Sequence, residues 1–232
     1  SNSCDREFLG DPSNSPKPVV LKNPLSKEEG ELSTLLVPKL LHNFSRNLHR
    51  KNENLRLFEL RRVFFGKENG SLPAEERHLA GLMTGSAVPS AWNVQERDID
   101  FFDVKGIVES IATLLGGKGI SWHQDSLPTF LLSGAAAGLR IRRGREVQDL
   151  GWLGEVDPRI LENFDVHDRR AYVFELNYEL LAVSTTRAIQ YQEIPRFPAI
   201  VRDVALVVDR AVAAGEMLEA AQALDFEKAA LL

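Results

Sequence analysis

The stretch LRLFELRRVFFGKE, residues 55–68, predicts a β-strand that runs into a turn at Gly66. A second strand is predicted at 78–84, after a polar turn that contains Gly70, Ser71 and Pro73. Further strands are predicted at 120–123, 137–142, 148–156 and 172–176, the middle pair joined by a turn near Gly144. Runs of strands with only a few helices between them predict an α+β fold, a mainly antiparallel sheet flanked by helices.

Helices are predicted where apolar residues recur at a spacing of three or four. The first has Ser33 or Thr34 as its N-cap and ends near Lys51, with Pro38 in its first turn. The second begins at Asp100 or Asp103, with capping as the simplest role of Asp103, and ends at the glycines 116–117. A short third helix is predicted from Pro158 to about residue 164.

The composition changes along the chain and predicts three parts. Residues 1–18 are rich in Ser, Asn, Pro and Asp, and are expected to be a mobile leader whose first two residues look like a cloning scar. Residues 19–190 form the main domain. Residues 191–232 begin a second unit, with a strand at 204–208 and a helix at 213–223. We expect the sequence to be a fragment of a longer protein.

The composition also limits the function. Cys4 is the only cysteine, so an internal disulfide and a thiolate metal site are excluded, which fits a reducing cytoplasm. A net charge of -5 argues against an indiscriminate nucleic-acid binder, because such binding depends on Lys and Arg. No apolar run approaches the roughly 20 residues of a membrane span. The five histidines form no H-E-x-x-H motif, and no phosphate-binding glycine loop occurs.

Charged residues in unusual places complete the list of candidates. Arg140, Arg142, Arg143 and Arg145 form the densest positive patch, which is most simply a solvated hairpin rim, with RNA contact as the alternative. Glu59 and Glu175 each lie inside an apolar strand. Either they face solvent, or they are buried beside a cationic partner. We predict no catalytic, cofactor-binding or metal-binding residue in this chain.

Several short segments occur in an order that matches one known family. They are 23–26 (NPLS), 32–41, Asn47 and Arg50, 57–59 (LFE), 79–81 (LAG), 100–106 (DFFDVKG), 151–158, 174–176 (FEL) and 197–209 (FPAIVRDVALVVD). In these segments the chain resembles the β subunit of bacterial-type phenylalanyl-tRNA synthetase, specifically its C-terminal catalytic-like region. The resemblance runs from about Val19 to the end, and DFFDVKG is its most specific match.

The chain departs from the pattern of class II aminoacyl-tRNA synthetases at positions where those enzymes bind ATP. Phe65 stands where one of their signature strands has an arginine, and a phenyl ring cannot neutralise a phosphoryl group. Arg187 stands without the glycines of the third signature. Lesser departures from the β-subunit pattern are Ser33, Asp157 and the segment 132–134 (LSG).

The resemblance implies a class II synthetase-like, non-catalytic domain followed by a truncated ferredoxin-like anticodon-binding domain. It implies a structural platform for the catalytic α subunit and for tRNA(Phe), within a complex that uses ATP and Mg²⁺, while this fragment holds no cofactor. The first helix is either core or α-subunit interface, or both, through Val37, Leu40, Leu41, Phe44 and Leu48. The candidate tRNA contacts are Arg140, Arg142, Arg143, Arg196 and Arg202.

Two other functions fit the same sequence. A free-standing tRNA-binding or RNA-binding module predicts micromolar or better affinity that weakens steeply with salt. An active ligase with displaced ATP ligands predicts a nucleotide pocket lined by arginine. Binding to the α subunit would distinguish the platform from both.

Overall fold

The computed structural model describes residues 18–24, 30–67, 71–88, 91–115, 119–182, 205, 207–210, 212 and 214–222. Within these residues the chain forms six strands and five helices. The strands are β1 (Leu55–Phe65), β2 (Ala74–Thr84), β3 (Ile120–His123), β4 (Leu131–Arg143), β5 (Glu146–Val156) and β6 (Tyr172–Asn177). The helices are α1 (Val37–His49), α2 (Phe101–Leu114), α3 (Pro158–Glu162), α4 (Tyr178–Ala182) and α5 (Ala214–Gln222).

All six strands belong to one antiparallel sheet in the order β1-β2-β6-β5-β4-β3. Strand β6, the last of the six in sequence, therefore lies between β2 and β5 near the centre of the sheet. This order confirms the predicted α+β class with an antiparallel sheet flanked by helices. It also places residues that are about a hundred positions apart on adjacent strands, such as Ala80 opposite Glu175.

Each face of the sheet carries its own apolar core. On one face, α1 packs against β1, β2 and β6, and its buried side chains join Val63, Leu82 and Val173. On the other face, α2 packs against β5 and β6 and contributes Val104 and Val108. Because side chains alternate along a strand, Val173 belongs to the first core whereas its neighbours on β6 belong to the second.

The second helix begins as the sequence predicts. The Asp100 carboxylate accepts hydrogen bonds from the backbone N–H groups of Phe102 and Asp103, at 2.8 and 3.1 Å. The Asp103 carboxylate accepts in turn from the Asp100 N–H at 2.9 Å, which completes a reciprocal capping box. Arg97 binds Asp103 through two nitrogens and, together with the Asp100 N–H, lowers the pKa of that carboxyl to about 2.

Other element boundaries differ from the predictions. Helix α1 has Leu36, not Ser33 or Thr34, at its N-cap, with no cap from its own side chain, while Pro38 does lie in the first turn. Strands β2 and β4 begin earlier than predicted because their flanking residues pair with neighbouring strands. The five-residue helix α4 was not predicted, since it is too short to show a helical period.

The chain divides into two compact units, Ser1–Ala188 and Ile189–Leu232. In the second unit, α5 matches the helix predicted at 213–223. Of the strand predicted at 204–208, Ala205, Val207 and Val208 are described, and none of these three is in a strand. The predicted leader lies almost wholly outside the described residues. Among the helices described here, none combines the length and apolar character needed to cross a membrane.

Candidate functional site

A cavity of about 200 Å³ opens on the α1 side of the sheet, beside the N-terminus of that helix. Five of the six strands contribute residues to its walls, namely β2, β3, β4, β5 and β6. The lining residues are Leu35, Glu76, His78, His123, Ser126, Leu127, Gly138, Asp149, Leu150, Gly151, Trp152, Glu175 and Asn177.

Glu175 is the buried acid of this site, with 2% of its surface exposed. One carboxylate oxygen, Oε2, accepts hydrogen bonds from the backbone N–H groups of Leu36 and Val37, at 3.0 and 3.3 Å. These donors are at the first positions of α1, where a helix has unpaired N–H groups and a partial positive charge. Glu175 therefore caps α1 from a strand 139 residues away in sequence.

His78 links Glu175 to a second carboxylate. Its Nδ1 lies 2.8 Å from Glu175 Oε1, and its Nε2 lies 3.3 Å from Glu76 Oε2. The Asn177 side-chain amide also donates to Glu76 Oε2, at 2.7 Å. When the imidazole is protonated, both ring nitrogens donate to carboxylates. Glu175 is thus buried beside His78, which is a cationic partner when its ring is protonated; of the two alternatives that the sequence left open, exposure to solvent does not apply to Glu175.

Glu59 is in a different environment from Glu175. It is half-buried, and its carboxylate lies 3.1 Å from the guanidinium of Arg61 on the same strand.

Gly151 contributes to the Glu175 site through the backbone. It has a φ of 150°, and a side chain there would collide with the carbonyl oxygen of Glu175.

The His78 cluster predicts a pH-dependent stability. Burial of the ring lowers the His78 pKa, but hydrogen bonds and charge attraction to Glu175 and Glu76 outweigh it and raise the pKa above 6.5. The folded chain therefore holds this proton more tightly than the unfolded chain. We expect this contribution to stability to be fully present below the unfolded pKa of about 6.5, and to be lost as the pH rises through the folded pKa.

Urea unfolding measured from pH 5.5 to 8.5 checks this expectation. His78→Gln should flatten the decrease in unfolding free energy over the upper part of that range. His167→Gln is the matched control, because the His167 side chain is 61% exposed and lies outside the cluster. An unchanged pH profile in His78→Gln would show that another group causes the dependence.

Phe65 lies next to this site at the end of β1. Its half-buried ring packs against the core that contains α1, and its centroid is 6.1 Å from that of the His78 ring. An apolar side chain therefore lies beside the cavity at the end of β1. In the part of the chain that the structure describes, the residues lining the cavity include no lysine or arginine.

The five candidates for an α-subunit interface lie in the chain's own core. Val37, Leu40, Leu41 and Phe44 are at most 2% exposed, and Leu48 is partly buried against the same cluster. The apolar stripe of α1 is therefore explained by the core alternative. The interface prediction stays untested.

The arginines of the predicted positive patch have different environments. Arg140 binds Asp149 at 2.8 Å and lies 3.5 Å from Asp125, contacts that raise its pKa. Arg143 donates to the backbone carbonyl of Leu180, in the middle of α4. Arg142 and Arg145 are exposed. The remaining tRNA-contact candidates, Arg196 and Arg202, lie outside the described residues.

Sequence reasoning missed most of the cavity's polar residues. Glu76 and Asn177 carried no motif, and His78 was recognised only as the start of a strand. The one useful signal was a glutamate inside an apolar strand, at Glu175.

Asp157, which departs from the β-subunit pattern, has a structural role. Its carboxylate accepts a hydrogen bond from the Arg159 N–H at 2.9 Å and caps α3.

Comparison with known proteins gives a consistent match. The family described as the phenylalanyl-tRNA synthetase β chain CLM domain matches residues 1–178. The phenylalanine–tRNA ligase β subunit of Listeria monocytogenes EGD-e is 38% identical over 195 residues, which cover 84% of this chain and 23% of the relative. The Geobacter sulfurreducens β subunit is 38% identical over 206 residues, covering 89% and 25%. The chain thus spans about a quarter of the length of these relatives.

Proposed function

Because the chain belongs to the phenylalanyl-tRNA synthetase β chain CLM domain family, we propose that it is a non-catalytic part of a phenylalanine–tRNA ligase. It acts in the cytoplasm as a structural platform for the catalytic α subunit and for tRNA binding. It corresponds to the catalytic-like, class II synthetase-like region of the β subunit. Residues 191–232 begin its ferredoxin-like anticodon-binding domain.

The observation that carries the non-catalytic role is the environment of Phe65. Adenylate formation needs cations to neutralise phosphate oxygens, which arginine does with paired donors. At Phe65 the chain has an apolar ring packed on the core, and the neighbouring cavity brings carboxylates together. Carboxylates repel a triphosphate, so this cavity supports neither ATP binding nor phenylalanine activation.

The platform role is supported by the rigidity that the sheet gives to α1. Glu175 fixes the start of α1, and four apolar side chains anchor its inner face. The outer face of the helix remains exposed at Asn43, Arg46 and His49. A helix held in this way presents its polar outer face in one orientation, which lowers the cost of ordering a docking surface.

The test combines binding and catalysis. The chain is expected to co-purify with the phenylalanyl-tRNA synthetase α subunit, and to give no ATP–pyrophosphate exchange with phenylalanine when it is alone. Exchange by the chain without α would overturn the proposal, as would a failure to bind α in the same buffer in which the full-length β subunit binds it.

The alternative of a free-standing RNA-binding module receives little support from the described residues. Two of the three described arginine candidates are occupied by contacts within the chain. Arg142 on β4 remains available for a phosphate contact. Filter binding of tRNA(Phe) to the chain alone at several salt concentrations tests the module, which predicts micromolar or better affinity with a steep salt dependence. Binding to the α subunit distinguishes the platform from the module.

A further inference from the structure

The proposed platform role gives no function to the cavity beside α1. Its volume of about 200 Å³ is more than tenfold larger than the roughly 10–15 Å³ that one water molecule needs on the same measure. Apolar walls are provided by Leu35, Leu127, Leu150 and Trp152. A space of this size admits a compact organic molecule, and its walls favour one with an apolar or aromatic body.

The charged side chains that line the cavity are mainly acidic. Three carboxylates line it, those of Glu76, Asp149 and Glu175, together with two imidazoles. Because His78 is shared by two carboxylates, the cluster of Glu76, His78 and Glu175 keeps a net negative charge even when the imidazole is protonated. Such a site attracts a cation and opposes a carboxylate or a phosphate.

Glu76 is the carboxylate that is best placed to hold a ligand. Glu175 uses both oxygens within the chain, and Asp149 is paired with Arg140. Both contacts to Glu76 from the described residues, those of His78 and Asn177, involve Oε2, so within the described part of the chain Oε1 is left for a further donor. The Glu76 side chain is 37% exposed, which leaves a path from solvent to that oxygen.

We propose that this cavity binds a compact organic ammonium ion, a primary amine attached to a small apolar or aromatic group. The ammonium group donates to Glu76 Oε1, and the apolar body lies against Leu127 and Trp152. A zwitterionic amino acid is a poorer ligand, because no lysine or arginine among the described lining residues receives its carboxylate. The inference depends on the cavity alone and is independent of the proposed function.

Benzylamine is a suitable probe, and two-dimensional ¹H–¹⁵N NMR of the whole chain in phosphate buffer at pH 7 is a suitable measurement. Saturable shifts of the Trp152 indole N–H signal are expected with benzylamine. Benzyl alcohol, which has the same shape without the charge, should bind about tenfold more weakly or worse, because its hydroxyl can still donate to the carboxylate but lacks the positive charge that strengthens this hydrogen bond. Benzoate and L-phenylalanine should give no saturable shift at the same concentrations.

Glu76→Gln tests the anchor directly and should lower the benzylamine affinity about tenfold. Glu75→Gln is the matched control, since Glu75 is the neighbouring residue on β2 and binds Arg62 at 3.0 Å on the opposite face. The proposal is overturned if benzylamine gives no saturable shift, if benzyl alcohol binds as tightly, or if Glu76→Gln binds as the original chain does. The ligand series decides the question even if a variant does not fold, and no outcome depends on α or ATP.

Discussion

Replacing Glu175 with alanine is expected to lower the free energy of unfolding by about 3–5 kcal/mol, the range found when one partner of a buried ion pair is removed. The substitution leaves the Leu36 and Val37 N–H groups without their acceptor at the start of α1. It also removes the closer of the two carboxylates that bind His78. Guanidinium chloride unfolding of the purified chain measures the loss.

Glu59→Ala is the matched control for this prediction. It removes a glutamate from an apolar strand of the same sheet, but one that is half-buried and paired with an exposed arginine. A pair of this kind contributes about 1 kcal/mol or less. Glu175→Gln should lie between the two, because the amide oxygen still accepts from the helix N–H groups. Equal losses in Glu175→Ala and Glu59→Ala would contradict the assigned role of Glu175.

Replacing Phe44 with alanine is expected to destabilise the isolated chain by about 3–5 kcal/mol, the usual cost of deleting a buried aromatic side chain. The Phe44 side chain has no solvent exposure and lies in the core between α1 and the sheet. This prediction also decides between the two functions of the α1 stripe. A core residue destabilises the chain without any partner, whereas an interface residue weakens only the binding of the partner.

Leu114→Ala is the control for Phe44→Ala. Leu114 is an apolar helical residue that is 82% exposed, so its truncation should change the unfolding free energy by about 0.5 kcal/mol or less. If Phe44→Ala left stability unchanged but reduced binding to the α subunit, the stripe of α1 would belong to an interface and the core assignment would be wrong.

Much of the fold was accessible from local sequence patterns. The apolar and aromatic residues of 55–65, followed by a turn at Gly66, predict β1 with the bounds that it has, and Asp100 predicts the start of α2. These features depend on residues within a few positions of one another, such as a carboxylate and the N–H groups two and three residues later. The family match likewise follows from the order of short segments along the chain.

The arginine patch and the stripe of α1 show where such patterns stop being informative. The sequence puts Arg140 and Arg143 in one basic cluster, but the fold gives each its own partner, Asp149 and the Leu180 carbonyl. The helical period of α1 identifies an apolar face without identifying what covers it. In both cases the missing information is which distant element lies opposite.

The sequence by itself determined the α+β class and most of the strands and helices. Only the tertiary structure decided that Glu175 caps α1, that His78 joins two carboxylates, and that these groups border a cavity. The physical reason is the strand order, which inserts β6 between β2 and β5. Partners 97 and 139 residues apart meet there, and no local pattern encodes such a meeting.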